Sequence, residues 1–267
     1  MKIDRFTLSD LRGETSKASS VIHSLLIVFS FISIFPIPKR FLPEWNTSNL
    51  RFFSVCLPLA GIIFAFSWLI VFYILSDLTK ISDLFRGFIF TFSSLSLTGG
   101  LHMDGLMDTC DAIFSHKDRE SRIKILSDTH SGSFAVMGCV IILMFKTFLS
   151  AEIISHGIKL NFVLIPIFSR LGMGILLNTL KFAKNNGLAV ILGSSGNSRD
   201  NYIFALIFVI LSLLSFDLIP IFFVIILLIW SKICVKIFGG ITGDLLGAFV
   251  EISEIFMLIG AVIEICI

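Results

Sequence analysis

The chain has 267 residues, of which 55% are hydrophobic and 15% charged, with 29 phenylalanines and a mean hydropathy of +0.95. Soluble domains are about 45–50% apolar and about 25% charged, so this composition excludes a soluble globular protein and predicts an all-α, polytopic integral membrane bundle. The net charge of +2 does not point to nucleic acid or any other charged partner, and five scattered cysteines without a C-x-x-C pair exclude a disulfide or zinc framework.

The first apolar stretch, Ala18–Pro38, is long enough to cross a bilayer. Pro36 and Pro38 follow it instead of an A-x-A cleavage site, which argues against a signal peptide. If it crossed, the tail with Lys2, Arg5, Arg12 and Lys17 would face opposite to Lys39, Arg40 and Arg51. If it lies in the interface or re-enters, both basic segments share one side.

Uncharged runs then predict about seven spans, near Phe52–Leu75, Gly87–Gly100, Ser133–Ser150, Asn161–Leu180, Asn201–Phe216, Leu218–Val235 and Leu245–Ile263. Lys146 interrupts the third and Arg170 the fourth. Counting onward, the loops with Lys117, Arg119, Arg122 and Lys124, with Lys181, Lys184 and Arg199, and with Lys232 and Lys236 all fall on the side of the first basic segments. The positive-inside rule makes that side cytoplasmic. No repeat or linker divides residues 1–267, so one membrane-embedded domain is expected.

Between the second and third spans, Leu101 to Asp111 reads L-H-M-D-G-L-M-D-T-C-D. On a helix Asp104, Asp108 and Asp111 share one face. Three anions on one face repel unless a cation lies among them, and a hard divalent ion such as Mg²⁺ resolves that repulsion. Gly99, Gly100 and Gly105 permit close approach of a ligand. Arg122 and Lys124, with Lys117 and Arg119, supply charge for phosphate groups. His102 suits a general base or a phosphate contact, and equally a histidine satisfied by a neighbouring carboxylate. The bland alternative for the whole segment is an interfacial helix with a solvated acidic face.

Further along, Arg170 inside an apolar stretch requires a partner, a phosphate or one of the acids. Asn185–Ala189 and Gly193–Asn197 read as a flexible loop that covers a substrate or merely connects two helices. Gly239-Gly240-Ile241-Thr242-Gly243-Asp244 is a glycine-rich turn before the last apolar helix. Asp244 either caps that helix or joins the site, while the turn's amides bind an anion. Glu251 and Glu254 follow, and acids in a span are expected to face a polar cavity.

The chain lacks a Walker A loop, a G-x-S-x-G elbow and an H-E-x-x-H helix. A membrane site of aspartates and basic residues without a nucleophile motif suggests direct attack of an alcohol on an activated phosphoryl group. A CDP-alcohol phosphotransferase is a rival, but its D-G-x-x-A-R start is absent, and so is a prenyltransferase D-D-x-x-D. An ion-coupled transporter would place its acids near the midplane, often in repeated halves.

The segment G-G-L-H-M-D-G-L-M-D-T-C-D, followed by R-E-S-R-I-K-I-L-S-D-T-H-S-G-S-F-A-V, resembles the cobalamin synthase (adenosylcobinamide-GDP ribazoletransferase) family. G-G-I-T-G-D-L-L-G-A, F-P-I-P near residue 35, and Ser169-Arg170 followed by Asn186-Gly187-Leu188 fit the same family, so the resemblance covers essentially the whole length. The chain departs from the family pattern at His130, where Arg is expected, and at Ala112, where Gly is. The resemblance implies a Mg²⁺-dependent enzyme of the inner (cytoplasmic) membrane. It would join adenosylcobinamide-GDP to α-ribazole, or its 5′-phosphate, and release GMP. It implies Asp104, Asp108 and Asp111 as metal carboxylates, with His102, Asp128 and Asp244 in the same site. Expected partners are the two substrates and the bilayer, with a second copy or other cobalamin-assembly enzymes left open.

Overall fold

Among the described residues of the computed structural model, five helices are long and apolar enough to cross a membrane: Phe53–Asp77, Ser133–Ser155, Asn161–Thr179, Ile219–Phe238 and Gly243–Cys266. The structure describes residues 17–78, 80–157, 160–193, 196–197, 199–215 and 217–266. The basic tail residues Lys2, Arg5 and Arg12, and Ser194 and Ser195 of the second loop segment, lie outside them. In chain order the helices are α1 (Lys17–Ile32), α2 (Thr47–Leu50), α3 (Phe53–Asp77), α4 (Asp83–Leu97), α5 (Leu101–Phe114) and α6 (Arg119–Ile125). They continue with α7 (Ser133–Ser155), α8 (Ile165–Thr179), α9 (Leu188–Gly193), α10 (Asp200–Ser215), α11 (Ile219–Ile233) and α12 (Gly243–Cys266). The chain is a helical membrane bundle.

Local chemistry sets the boundaries. Ser82 accepts from the Phe85 amide at 3.3 Å to start α4, and Pro166 and Pro220 open α8 and α11, where a missing amide costs nothing. Gly99 and Gly100 both adopt left-handed φ, at 61° and 76°. Two such residues in succession stop α4 and let α5 restart in a new direction.

Contacts fix the direction of each pass. α3 leaves one end of the bundle, which also carries Arg51, and α4 begins at the other, where Arg86 Nη1 donates to the Leu75 carbonyl at 3.4 Å. α4 returns, its Leu97 carbonyl accepting from the Ile34 amide at 3.0 Å. α7 departs from beside Asp111, and its Ala151 packs on Gly87 near the start of α4. α8 comes back antiparallel to α3, with Ile167 against Gly61 and Ser54 against Gly174. α10 departs from Asp200, paired with Arg51 at 2.9 Å, and ends where Asn161 Nδ2 donates to the Ser215 carbonyl at 2.5 Å. α11 returns and α12 leaves, with Trp230 Nε1 on the Leu245 carbonyl at 3.0 Å.

α1 behaves differently. His23 bonds Asn49 at 2.8 Å, Ser24 accepts from the Phe52 amide at 3.3 Å, and Phe31 lies edge-on to Phe53 at 6.3 Å. All of these partners belong to the end from which α3 starts. α1 therefore lies across that end of the bundle, the arrangement the charge pattern favours, rather than threading it.

Four charges are sealed between the passes. Lys146 Nζ donates to Glu251 and to Glu254, each at 2.7 Å, and Arg170 donates to Glu254 and, at 2.8 Å, to the Ser169 hydroxyl. The Arg170 guanidinium also lies 4.5 Å from the Phe64 ring centre. All four side chains are buried. Glu251 and Glu254 thus face cations rather than the polar cavity expected for them. Two cations and two anions cancel, which is how charges persist inside an apolar bundle.

Candidate active site

α5 sits at the end from which α3, α7, α10 and α12 depart, outside the five long apolar helices. Its packing on α12 depends on Gly105: a side chain there would meet the Asp244 carbonyl at 2.7 Å and Cα at 3.0 Å. A side chain at Gly247 would likewise meet the His102 Cα and carbonyl oxygen at 3.2 Å in the same crossing. Two glycines, 142 residues apart in the sequence, let the helices approach backbone to backbone. That contact brings the turn bearing Asp244 beside Asp104.

The turn is itself held in place. Ile241 donates to the Lys181 carbonyl at 2.8 Å and accepts from the Ala183 amide at 3.0 Å. This parallel bridge ties the glycine-rich turn to the segment leaving α8, and Gly239, with φ of 73°, ends the preceding π-helical turn.

A cavity of about 390 Å³ opens between these elements. His102, Asp104, Gly105, Ser127, Lys184, Asn186, Thr242 and Asp244 lie on its polar side. Lys184 donates to the Ser127 hydroxyl at 2.6 Å, and its charge acts on Asp244. Sequence reasoning placed Lys184 only in a cytoplasmic loop; the signal missed was its position directly before the Asn-Asn-Gly segment. That segment lines the cavity with the first turn of α9, so it covers the site as well as connecting helices.

The carboxylates differ in how they are held. Asp111 accepts from the amides of Gly132, at 2.5 Å, and Ala135, at 2.9 Å. It fastens α5 to the start of α7 by occupying that helix's unsatisfied amides. Among the described residues, the carboxylates of Asp104 and Asp108 have no hydrogen-bond or salt-bridge partner. Asp108 is half-buried, and burial first, then the negative charges of Asp104, Asp244, Asp111 and Asp128, push its pKa up to about 7. Asp128 is exposed and bonds His130 at 2.8 Å, which lowers its pKa.

His102 is 1% exposed, and both its ring nitrogens lack a partner. Burial, reinforced by the charge of Arg170, pushes its pKa down to about 3. A neutral imidazole of this kind is suited to bonding a ligand's polar group rather than to storing a proton.

Other expected contacts lie elsewhere. Gly99 and Gly100 serve the break between α4 and α5 and do not line the cavity. Arg170 belongs to the sealed charge cluster because Glu254, which sequence spacing could not pair with it, takes its guanidinium. Arg122 donates to the Lys117 carbonyl at 2.7 Å, and with exposed Lys124 it rides on α6 outside the cavity lining.

Unneutralised carboxylates facing one another suit a hard cation. Among the described residues no group of three or more His, Cys, Asp or Glu side chains is placed to hold a metal ion by itself. Mg²⁺ fits such a site, since it keeps several waters and uses one or two carboxylates plus phosphate oxygens.

The chain matches the family model described as Cobalamin-5-phosphate synthase over residues 24–262. It is 30% identical over 252 residues to the adenosylcobinamide-GDP ribazoletransferase of Lachnoclostridium phytofermentans, covering 91% of this chain and 94% of that protein. It is 33% identical over 229 residues to that of Geobacillus kaustophilus, covering 82% and 87%. No solved structure matches it.

Proposed function

The chain belongs to the cobalamin-5-phosphate synthase family and is a transferase of cobalamin biosynthesis, and on that premise we propose that it joins adenosylcobinamide-GDP to α-ribazole, or its 5′-phosphate, and releases GMP. The observation that carries the reading is the pair of carboxylates, Asp104 and Asp244, lining a cavity at one end of the bundle, with Asp108 close enough to feel both charges. The relatives' name supplies the substrates; the cluster supplies chemistry that suits them.

In this reading a ribazole hydroxyl attacks the phosphorus nearer the corrinoid arm. The new O–P bond forms while the bridging P–O bond breaks, GMP leaves with the electron pair, and the hydroxyl proton passes to a site carboxylate. Asp104 and Asp108, with Asp111 third on the same face, would hold Mg²⁺, which when bound would supply positive charge against the pyrophosphate. Lys184 reaches the same cavity and opposes developing negative charge. Gly105 and Gly247 keep the Asp244 turn against α5, which fixes the spacing of the groups. Most of the acceleration then comes from positioning and charge neutralisation.

The site end faces the cytoplasm in this reading, because the basic segments lie at that end. Purified protein in lipid nanodiscs should release GMP from adenosylcobinamide-GDP only when α-ribazole or its phosphate is added. No release with either acceptor would refute the reading. Cysteines placed at Ser115 and Asn185 should resist an impermeant reagent added outside intact cells, and labelling of either would reverse the orientation.

A further inference from the structure

The lining of the cavity divides by element. His102 and Asp104 of α5, with Lys184 and Asp244, carry its charged and titratable groups, whereas α3, α8 and α9 contribute an apolar wall: Phe53 of α3, Met173 and Leu177 of α8, and Leu188, Ala189 and Val190 of α9.

Resting on the transferase reading above, we propose that this cavity seats the acceptor, α-ribazole, and that the corrinoid half of the donor remains outside it. Size argues first. About 390 Å³ is near the lower end of cavities that hold one drug-sized ligand, roughly 300–1,000 Å³. A benzimidazole riboside is of that class, while a corrinoid carrying a nucleotide diphosphate is several times larger.

Chemistry argues second. The acceptor's base is a flat hydrocarbon-rich bicycle bearing two methyl groups, matched to the apolar wall. Guanine, the other base in the reaction, carries donors and acceptors along most of its edge. Burying those edges against Met173, Leu177 and Val190 would leave them unpaired, at substantial cost.

Orientation argues third. His102 is buried with both ring nitrogens unpartnered, so the cavity lacks a hydrogen-bonding group where the wall turns polar. A ribose hydroxyl supplies one. With the base on the apolar wall and the sugar at His102, the reacting hydroxyl points toward Asp104 and Asp244. His102 is then a substrate-binding residue.

Filling the apolar wall tests this directly. Ala189→Phe and, as a second variant on the same helix turn, Val190→Phe are prepared as full chains in nanodiscs. Equilibrium binding of radiolabelled α-ribazole alone is measured beside KM for each substrate, and melting temperature shows which variant is folded. In folded protein the KM for ribazole should rise roughly tenfold or more, a loss on the order of 1.4 kcal/mol, and binding of ribazole alone should fall in parallel. The KM for adenosylcobinamide-GDP should stay within about twofold, since a donor whose pyrophosphate meets only the charged side of the cavity loses no contact at the apolar wall. A rise confined to the donor's KM, or no change in either KM in folded protein, would overturn the assignment. Wild-type protein that binds ribazole yet releases no GMP would sink the proposed reaction and leave the seat standing. Normal turnover with no effect of either substitution would do the reverse, and neither binding nor turnover in the wild type would remove both.

Discussion

The molecule holds two groups of charge that differ in one respect. The inner group, Lys146, Arg170, Glu251 and Glu254, is balanced within the protein and sealed from solvent. The outer group, Asp104, Asp108, Asp111 and Asp244, lies at one end of the bundle with far less compensation; Asp111 takes two amide hydrogens and Asp244 feels Lys184. A balanced cluster joins helices. An unbalanced one wants something that the protein does not contain, which is why the outer group reads as the site.

The largest expected effect breaks the inner group. Glu254→Gln leaves Arg170 and Lys146 short of an anion in an apolar interior, and removing one partner of a buried pair costs about 3–5 kcal/mol. The melting temperature in detergent should fall sharply. Protein that does fold should keep the proposed Mg²⁺ dependence, because Glu254 does not line the cavity; a shifted Mg²⁺ requirement with unchanged stability would mean that the two groups are one functional unit.

Breaking the outer group should do the opposite. Asp104→Asn and Asp108→Asn should cut turnover by about 10²–10³-fold, or about 2.7–4 kcal/mol of transition-state stabilisation, with little change in melting temperature. Removing a carboxylate also relieves repulsion, so a modest rise in stability without Mg²⁺ is consistent. Full activity in both variants would remove the carboxylates from the chemistry.

Asp244 and Asp111 sharpen the contrast. Asp244→Asn should depress turnover in protein of near-normal stability, because the turn is already held by the Ile241 bridge and the Thr242 hydroxyl takes the Leu245 amide at 3.3 Å. Near-normal turnover would reduce Asp244 to a cap. Asp111→Ala should instead lose a modest amount of stability, about 0.5–2 kcal/mol, from loss of the cap on α7. Its activity should fall as well if the third carboxylate also serves the ion, and a pure stability loss would restrict Asp111 to fastening α5 to α7.

Much of this contrast is legible in the sequence. Hydropathy marks the passes, and helical spacing puts Asp104, Asp108 and Asp111 on one face. Charge asymmetry keeps the first apolar stretch from crossing, and α1 does lie across one end. These are local or cumulative signals. The inner cluster is not local: Lys146 and Glu251 are 105 residues apart, and in the sequence each is only an interruption in an apolar run. Gly105 is similar, since its neighbour across the helix crossing is the Asp244 backbone, and nothing in L-H-M-D-G announces a packing role over a ligand contact. Lys184 is hidden because a loop lysine looks like any other until its partner Ser127 and the cavity are known. Arg170 carried the clearest demand for a partner, but which of two carboxylate groups would meet it depended on the packing of α8 against α12.

The central claim is that the unbalanced outer carboxylates form a Mg²⁺ site for transfer from adenosylcobinamide-GDP. The most direct measurement is GMP release by the purified protein in nanodiscs, with α-ribazole as acceptor, titrated with Mg²⁺ for wild type and Asp108→Asn. The account predicts no release without the ion, saturable activation in the wild type, and a strongly raised Mg²⁺ requirement or no activity in the variant. Release in the presence of a chelator, or identical Mg²⁺ curves for the two proteins, would contradict it.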